Sequence, residues 1–159
     1  TPLQLAQAYA AIGNDGEIRP VSLVALEKPN AGQRIISSKN ALTIRRMMEE
    51  VVKPGGTGSE ASVAGYRIAG KTGTSWKFAP GGYSTDKYFS IFAGLAPASD
   101  PRVATVVIID EPTGNLYYGG DVAAPLFGNV MAESLRLLAV PPDGAIAVDQ
   151  DALIQAMSQ

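Results

Sequence analysis

The sequence predicts an α/β chain of the α+β type: an antiparallel sheet with helices on its faces. Three observations lead there. Apolar residues recur at helical spacing in three stretches that carry start and stop signals. Three further apolar stretches in the middle of the chain have strand character. The last two of these are joined by the tight connection Ala98-Ser99-Asp100-Pro101, which makes them an antiparallel hairpin. The 159 residues suit one domain, and 46% hydrophobic content is enough to build a core.

In order along the chain, Thr1-Pro2-Leu3-Gln4 opens the first helix. Thr1 caps it, Pro2 suits the first helical position and Gln4 completes a capping box. Leu5, Tyr9 and Ile12 share one face, and Gly13-Asn14-Asp15-Gly16 stops the helix and turns the chain. Ile18 to Leu26 reads as extended, with Pro20 marking it as an edge or irregular strand. Lys28 to Gly32 is a turn, and Arg34-Ile35-Ile36 a short strand. Ser37 or Ser38 caps a second helix, Lys39 to Val52, whose buried stripe is Ile44, Met47, Met48 and Val51; the methionines read as core filler. Pro54-Gly55-Gly56-Thr57-Gly58 ends it in a flexible loop.

The strand stretches are Tyr66–Thr72, Tyr88–Leu95 and Val103–Asp110. Ser75–Lys87, rich in Gly, Pro and polar residues, reads as a long loop between the first two. Glu111 to Asn115 is another loop, leading to Tyr117-Tyr118-Gly119-Gly120. Ala124 to Ala139 is a long apolar helix with Phe127, Val130, Met131, Leu135 and Leu138 toward the core and Pro125 near its first turn. Pro141-Pro142 ends it. Residues 1–140 form one body, and 141–159 a tail with a short helix at Ala152–Met157.

Composition narrows the chemistry. There is no cysteine and no histidine, so disulfides, thiol catalysis and histidine-based metal binding or proton transfer are excluded within this chain. The net charge of −2, with both signs interspersed, argues against a nucleic-acid or anionic-membrane surface. The most apolar stretch, Val103 to Ile109, is too short to span a bilayer. A start at Thr1, on a helix cap and without Met, is expected of a piece of something longer or of a processed mature terminus.

The richest chemistry lies in Gly70-Lys71-Thr72-Gly73-Thr74. Gly65 to Thr72 satisfies the spacing G-x-x-x-x-G-K-[ST] of a phosphate-binding loop, and Val106 to Glu111 resembles the acid-ended strand that would hold its Mg²⁺. A phosphate loop, however, needs a helix beginning at the Gly-Lys. Gly73, Pro80, Gly81 and Gly82 make one very unfavourable here, and Tyr66-Arg67-Ile68-Ala69 alternates like a strand. Lys71 is therefore expected at or near a strand end. There, outward N–H groups can donate to an acyl oxygen, Lys71 offers a positive charge, Thr72 and Thr74 offer hydroxyl donors, and Gly73 permits close approach. Taken alone, the tripeptide is also what a polar edge strand would show.

The flanking segments add specificity. Lys71-Thr72-Gly73 is the third signature of penicillin-binding proteins and serine β-lactamases. It occurs here in order with Thr1 to Tyr9, Gly55 to Gly58, Ala69 to Thr74, Phe92-Ala93-Gly94-Leu95-Ala96-Pro97 and Tyr117 to Gly120. As a set these closely resemble class B penicillin-binding proteins, especially the division-specific penicillin-binding protein 3 type, over about residues 1–140. The resemblance implies a peptidoglycan D,D-transpeptidase that works through an acyl-serine and is acylated by β-lactams. It implies no cofactor or metal. In it Lys71 and Thr74 are catalytic, the latter by its backbone N–H at the oxyanion. Thr72, Gly73 and Thr74 meet the substrate carboxylate, and Tyr88, Tyr117 and Tyr118 are aromatic walls. Half-buried packing is the plainer reading of these tyrosines.

The nucleophile is missing, though two segments imitate the family's other motifs. Ser84-Thr85-Asp86-Lys87 fits S-x-x-K but falls in the expected loop after Lys71, not at the start of a core helix. Ser38-Lys39-Asn40 fits S-x-N but reads as a helix start too close before Lys71. The expectation is therefore the C-terminal half of a transpeptidase domain, at the periplasmic face of the bacterial inner membrane and anchored by a segment not in this chain. Its implied partners are the serine-bearing remainder of the same protein, stem peptides, β-lactams and divisome proteins, with no nucleic acid. The lone chain is expected to be poorly soluble, because uncovered strands such as Val103–Ile109 would lie open. A β-lactamase, a carboxypeptidase and a non-catalytic penicillin sensor share the fold and remain alternatives.

Overall fold

The structure, a computed structural model, describes residues 1–144; the helix expected at Ala152–Met157 lies outside them. The first helix, α1 (Pro2–Gly13), carries the expected capping box. The Gln4 amide donates to Thr1 Oγ1 (3.3 Å), and the Thr1 amine donates to Gln4 Oε1 (2.9 Å). Asp15 (φ 52°) and Gly16 (φ 88°) then reverse the chain. Only Glu17–Ile18 (β1) and Gln33–Arg34 (β2) form strands in this region, paired antiparallel. The longer extended strand expected to Leu26 does not form. Among the described residues, 19–32 have no strand partner beyond this ladder, and Leu23 and Val24 are exposed rather than folded onto the core.

Helix α2 (Ser38–Glu50) is capped by Ser37, whose Oγ accepts from the Asn40 amide. Its buried side is Ala41, Arg45 and Met48. Met47, expected in that stripe, is 65% exposed, because it lies one residue off the i, i+4, i+7 line. The buried Arg45 guanidinium donates to the carbonyl of Gly13 at the end of α1 (3.1 Å) and lies 3.5 Å from Asp15. That cation suits the negative end of α1 and ties the two helices together.

Three antiparallel strands follow in the order β3-β4-β5: Ala69–Ala79, Gly82–Ala96 and Val103–Asp110. Lys71 pairs with Ala93, Thr74 with Ser90 and Phe89 with Asp110. Two expectations change. Ser75–Lys87 is the far part of a long β3–β4 hairpin and not a loop, and Lys71 lies near the start of β3 and not its end. Cross-strand aromatic pairs explain the extension: Trp76 faces Tyr88 and Phe78 faces Tyr83. Gly81 (φ 99°) and Gly82 (φ 131°) supply the left-handed turn that closes it.

Helix α3 (Gly119–Leu137) starts earlier than Ala124, so Pro125 lies inside it. Phe127, Met131 and Leu135 are fully buried as expected. Val130 and Leu138 are exposed, Leu138 being already past the last helical residue. Alternation along the strands divides the core between the two sheet faces. On one, Phe92, Ala96 and Val107 pack against Ala123, Ala124, Phe127, Met131 and Leu135. On the other, Ala69, Leu95 and Ala98 pack with Met48, Tyr9, Ile12 and Ile44 of α1 and α2. Helices thus cover both faces, and no residue of the expected open strand Val103–Ile109 is exposed.

After α3 the chain returns to the segment leading into β3. The Tyr66 hydroxyl donates to the Val140 carbonyl (2.6 Å) and the Gly144 amide to the Gly65 carbonyl (3.0 Å). Asp143 accepts from the amides of Arg67 (2.8 Å) and Ser99 (3.0 Å) and from the Ser99 hydroxyl (2.6 Å). Burial opposes ionisation of Asp143, but these donors and the nearby Arg67 charge outweigh it and hold its carboxyl below the usual range. No helix among the described residues is long and apolar enough to cross a membrane.

Candidate active site wall

Strand β3 pairs with β4 on one side, and among the described residues nothing pairs with its other edge. A row of backbone donors and acceptors is left open along Lys71–Thr74. The strand is held from behind by close backbone packing. A Cβ at Gly70 would collide with the Phe92 ring, and one at Gly119 with the carbonyl oxygens of Gly73 and Ile91. Glycine at 119 therefore lets the first turn of α3 press directly against β3, a demand of packing rather than of turn geometry.

That contact organises the hydroxyls. The Gly119 amide at the start of α3 donates to Thr74 Oγ1 (3.0 Å). With its oxygen accepting there, the Thr74 hydroxyl keeps its own proton for a ligand. Thr72 Oγ1 lies 3.2 Å from Thr57 Oγ1, on the loop after α2. The Lys71 ammonium reaches the Thr72 carbonyl (2.9 Å) and hydroxyl (3.4 Å), and has no carboxylate partner among the described residues. A cation, two oriented hydroxyls and the positive end of a 19-residue helix thus converge on one stretch of strand, a setting suited to a carboxylate.

The three expected tyrosines also come together. Tyr88 stacks on Tyr117 (centroids 4.3 Å), and Tyr117 lies against Tyr118 (4.5 Å), donating to its hydroxyl at 3.3 Å. That hydrogen bond, with the neighbouring phenols and some burial, raises the Tyr117 pKa above its ordinary value. The buried Ser90 hydroxyl donates to the Tyr117 carbonyl and fixes the stack to the sheet. With Thr74, Ser75, Trp76 and Tyr83 these rings line a cavity of about 410 Å³ beside the Lys71–Thr74 edge.

Trp76 and Tyr83 were hidden from the sequence reading inside the supposed loop. Their signal was the aromatic spacing on either side of Pro80-Gly81-Gly82. Thr57 and Gly119 lie in segments that carry the family resemblance, but their roles, like that of Ser90, depend on contacts distant in sequence. Farther along the hairpin, the Lys77 ammonium bridges Asp110 (2.7 Å) and Glu111 (2.8 Å), and Lys87 also reaches Glu111 (3.3 Å). These contacts raise the Lys77 pKa and lower that of Glu111.

The imitations of the missing motifs do not form a site. Ser84 and Lys87 both lie in β4; the Ser84 hydroxyl donates to Asp86 (2.6 Å), while Lys87 pairs with Glu111. Ser38 accepts from Arg34 (3.0 Å). After Gly70-Lys71 the chain continues as strand to Ala79, with no helix to cradle a phosphate.

The penicillin binding protein transpeptidase domain matches residues 1–132. The chain belongs to that family. It is 45% identical over 154 residues to peptidoglycan D,D-transpeptidase FtsI of Escherichia coli K12, covering 97% of this chain and 26% of the relative. It is 44% identical over 140 residues to probable peptidoglycan D,D-transpeptidase PenA of Neisseria gonorrhoeae, covering 88% of this chain and 24% of that one. The apo transpeptidase domain of Burkholderia pseudomallei penicillin-binding protein 3 superposes with a TM-score of 0.81 at 42% identity, over 89% of this chain and 44% of that structure. The transpeptidase-family chain thus spans about a quarter of the length of the curated relatives it matches. Its mixed helix and antiparallel-sheet fold is that of part of the transpeptidase domain.

Proposed function

We infer that this chain is the C-terminal part of a peptidoglycan D,D-transpeptidase and supplies the wall of its site, not the nucleophile. One observation carries the reading: an open-edged strand gathers Lys71, Thr72 and Thr74 at the start of α3, and neither serine imitation stands beside it. The names of the relatives support it.

In the complete enzyme a serine from outside this chain attacks the carbonyl of the penultimate D-Ala of a stem peptide. The Thr74 amide, on the open edge, donates to the oxygen as charge develops there, an interaction worth roughly 3–4 kcal/mol in the transition state. The hydroxyls of Thr72 and Thr74 and the Lys71 ammonium bind the terminal carboxylate. Gly73 leaves room for the substrate backbone, and Lys71 orients the serine of the S-x-N motif. The scissile C–N bond breaks, the terminal D-Ala departs as an amine with a proton, and an acyl-serine ester remains. An amine of a neighbouring strand then attacks that ester, forming the cross-link and freeing the serine. The Tyr88, Tyr117 and Tyr118 wall bounds the acyl group. Ring strain makes β-lactams acylate the same serine. The enzyme works at the periplasmic face of the inner membrane among divisome proteins.

Labelling with a fluorescent penicillin tests this. The complete enzyme is expected to become covalently labelled at a serine outside this chain, and the isolated chain to remain unlabelled. A penicilloyl adduct on any serine of residues 1–159 would refute the assignment.

A further inference from the structure

The β3–β4 hairpin continues well past the proposed carboxylate site, and its outer part carries three large aromatic side chains that the transpeptidase reading does not use. Trp76 is 59% exposed, Phe78 78% and Tyr83 71%. Burying these rings is favourable, so three left open side by side mark a surface that receives something. They form one surface. Phe78 and Tyr83 are register partners packed edge to face (centroids 5.8 Å), and Tyr83 lines the same cavity as Trp76, Tyr88 and Thr74. The strip is therefore continuous with the cleft.

We propose that Trp76, Phe78 and Tyr83 form a platform for a sugar ring of the glycan strand from which the donor stem peptide hangs. The proposal rests on the transpeptidase reading. Length is the first reason. From Thr74 to Phe78 or Ala79 the strand advances roughly 13–17 Å. A stem of about five residues, laid extended from a carboxylate held at Thr72 and Thr74, reaches roughly 17 Å. Its sugar-bearing end then arrives at the exposed rings.

Chemistry is the second reason. The faces of aromatic rings are electron-rich and attract the weakly positive C–H groups on the flat side of a pyranose. The strip is also not a continuous apolar patch of the kind an apolar protein partner would cover. Between Tyr83 and Tyr88, β4 holds Ser84, Thr85 and Asp86, of which Thr85 and Asp86 are exposed and the Ser84 hydroxyl donates to Asp86. Hydroxyl and carboxylate groups next to aromatic faces match a sugar that presents hydroxyls around an apolar face. Lys77, at the register irregularity between Trp76 and Phe78, pairs with Asp110 and Glu111 and so anchors the hairpin to the end of β5 and the chain that follows.

The test uses the complete enzyme and two acyl donors: a free stem peptide, and the same peptide carried on its disaccharide. The readout is the ratio of the two kcat/KM values. The wild type is expected to prefer the disaccharide donor by about 3- to 10-fold, the range of one aromatic stacking contact. In Phe78→Ala, and independently in Tyr83→Ala, the ratio is expected to fall toward one; melting curves confirm that each variant is folded. A wild type that does not distinguish the donors overturns the platform and points to a protein partner on the strip. A preference that survives both substitutions also overturns it, as does an equal loss on both donors, which would place the rings on the peptide. If the wild type accepts neither donor and no penicillin, the transpeptidase reading itself has failed, a result distinct from a ratio of one.

Discussion

The hydrogen bond between the Gly119 amide and Thr74 Oγ1 gives Thr74 two roles that a single substitution separates. Thr74→Val keeps the size and branching of the side chain and removes only the hydroxyl. Inside the protein it leaves the Gly119 N–H without its partner (3.0 Å, partly buried) at the start of α3. Loss of such a cap-like acceptor costs about 1 kcal/mol of stability. In the cleft it removes a donor to the substrate carboxylate. Hydrogen bonds to charged groups contribute about 1.5–3 kcal/mol, so acylation is expected to slow by roughly 10- to 150-fold at about 1.4 kcal/mol per decade. The assay is stopped-flow acylation of the complete enzyme by a fluorescent penicillin, with urea melts in parallel. Thr74→Ser retains the oxygen, the proton and the contact with Gly119. It should stay within a few-fold of wild type in rate. Acylation of Thr74→Val within about threefold of wild type would refute the assigned role, as would Thr74→Ser slowing as much as Thr74→Val.

Three further outcomes are expected. Lys71→Ala should cut penicillin acylation by at least about tenfold, because it removes the charge next to Thr72, while shifting stability by no more than about 0.5 kcal/mol, as for an exposed side chain with no ion pair among the described residues; a large drop in melting temperature would contradict this. Phe127→Ala should destabilise the domain by about 3–5 kcal/mol in denaturant melts, since its fully buried ring packs against Phe92 (centroids 4.7 Å) and lies over Gly94. Asp143→Asn should cost about 1–3 kcal/mol through weakened bonds to Arg67 and Ser99. Because the folded-state pKa of Asp143 lies below its ordinary 3.8, its stabilisation is complete above that value and disappears as pH falls through the folded one. The gap between wild type and Asp143→Asn should thus be flat near neutrality and close below pH 3.8; a gap that widens in acid would show the sign to be wrong.

Where local chemistry sufficed, the sequence was readable. Thr1 and Gln4 announced their capping box, and Phe127, Met131 and Leu135 announced the buried side of α3. Lys71, Thr72 and Thr74 are brought to one edge, and Tyr88, Tyr117 and Tyr118 to one stack. What stayed hidden depends on partners far along the chain. The outer hairpin looked like a loop because Gly and Pro at its tip dominate the composition; the cross-strand aromatic pairs that keep it extended are visible only once the register is known. Gly119 and Gly120 read as the end of a loop, whereas they are the opening of a helix that needs residues without side chains against the backbones of Gly73 and Thr57. Beyond Ile18, the stretch to Leu26 has strand-like residues and, among the described residues, no strand to join. Met47 and Val130 show that apolar composition assigns a helix more readily than it assigns the helix's rotation.

The outer edge of β3, unpaired among the described residues, has a practical meaning for anyone handling this protein. The amides that would serve acyl transfer are the same ones that invite a stray chain to pair. The usual remedies for a sticky strand, a proline or a blocking charge, would on the proposed reading remove the very donors that the complete enzyme needs from β3. Gatekeeping changes can be made only at sites that leave Lys71–Thr74 bare, such as Leu23 and Val24 in the exposed segment between β1 and β2. A better-behaved form of the chain is therefore expected from trimming the surface around that strand, with the strand itself left adhesive.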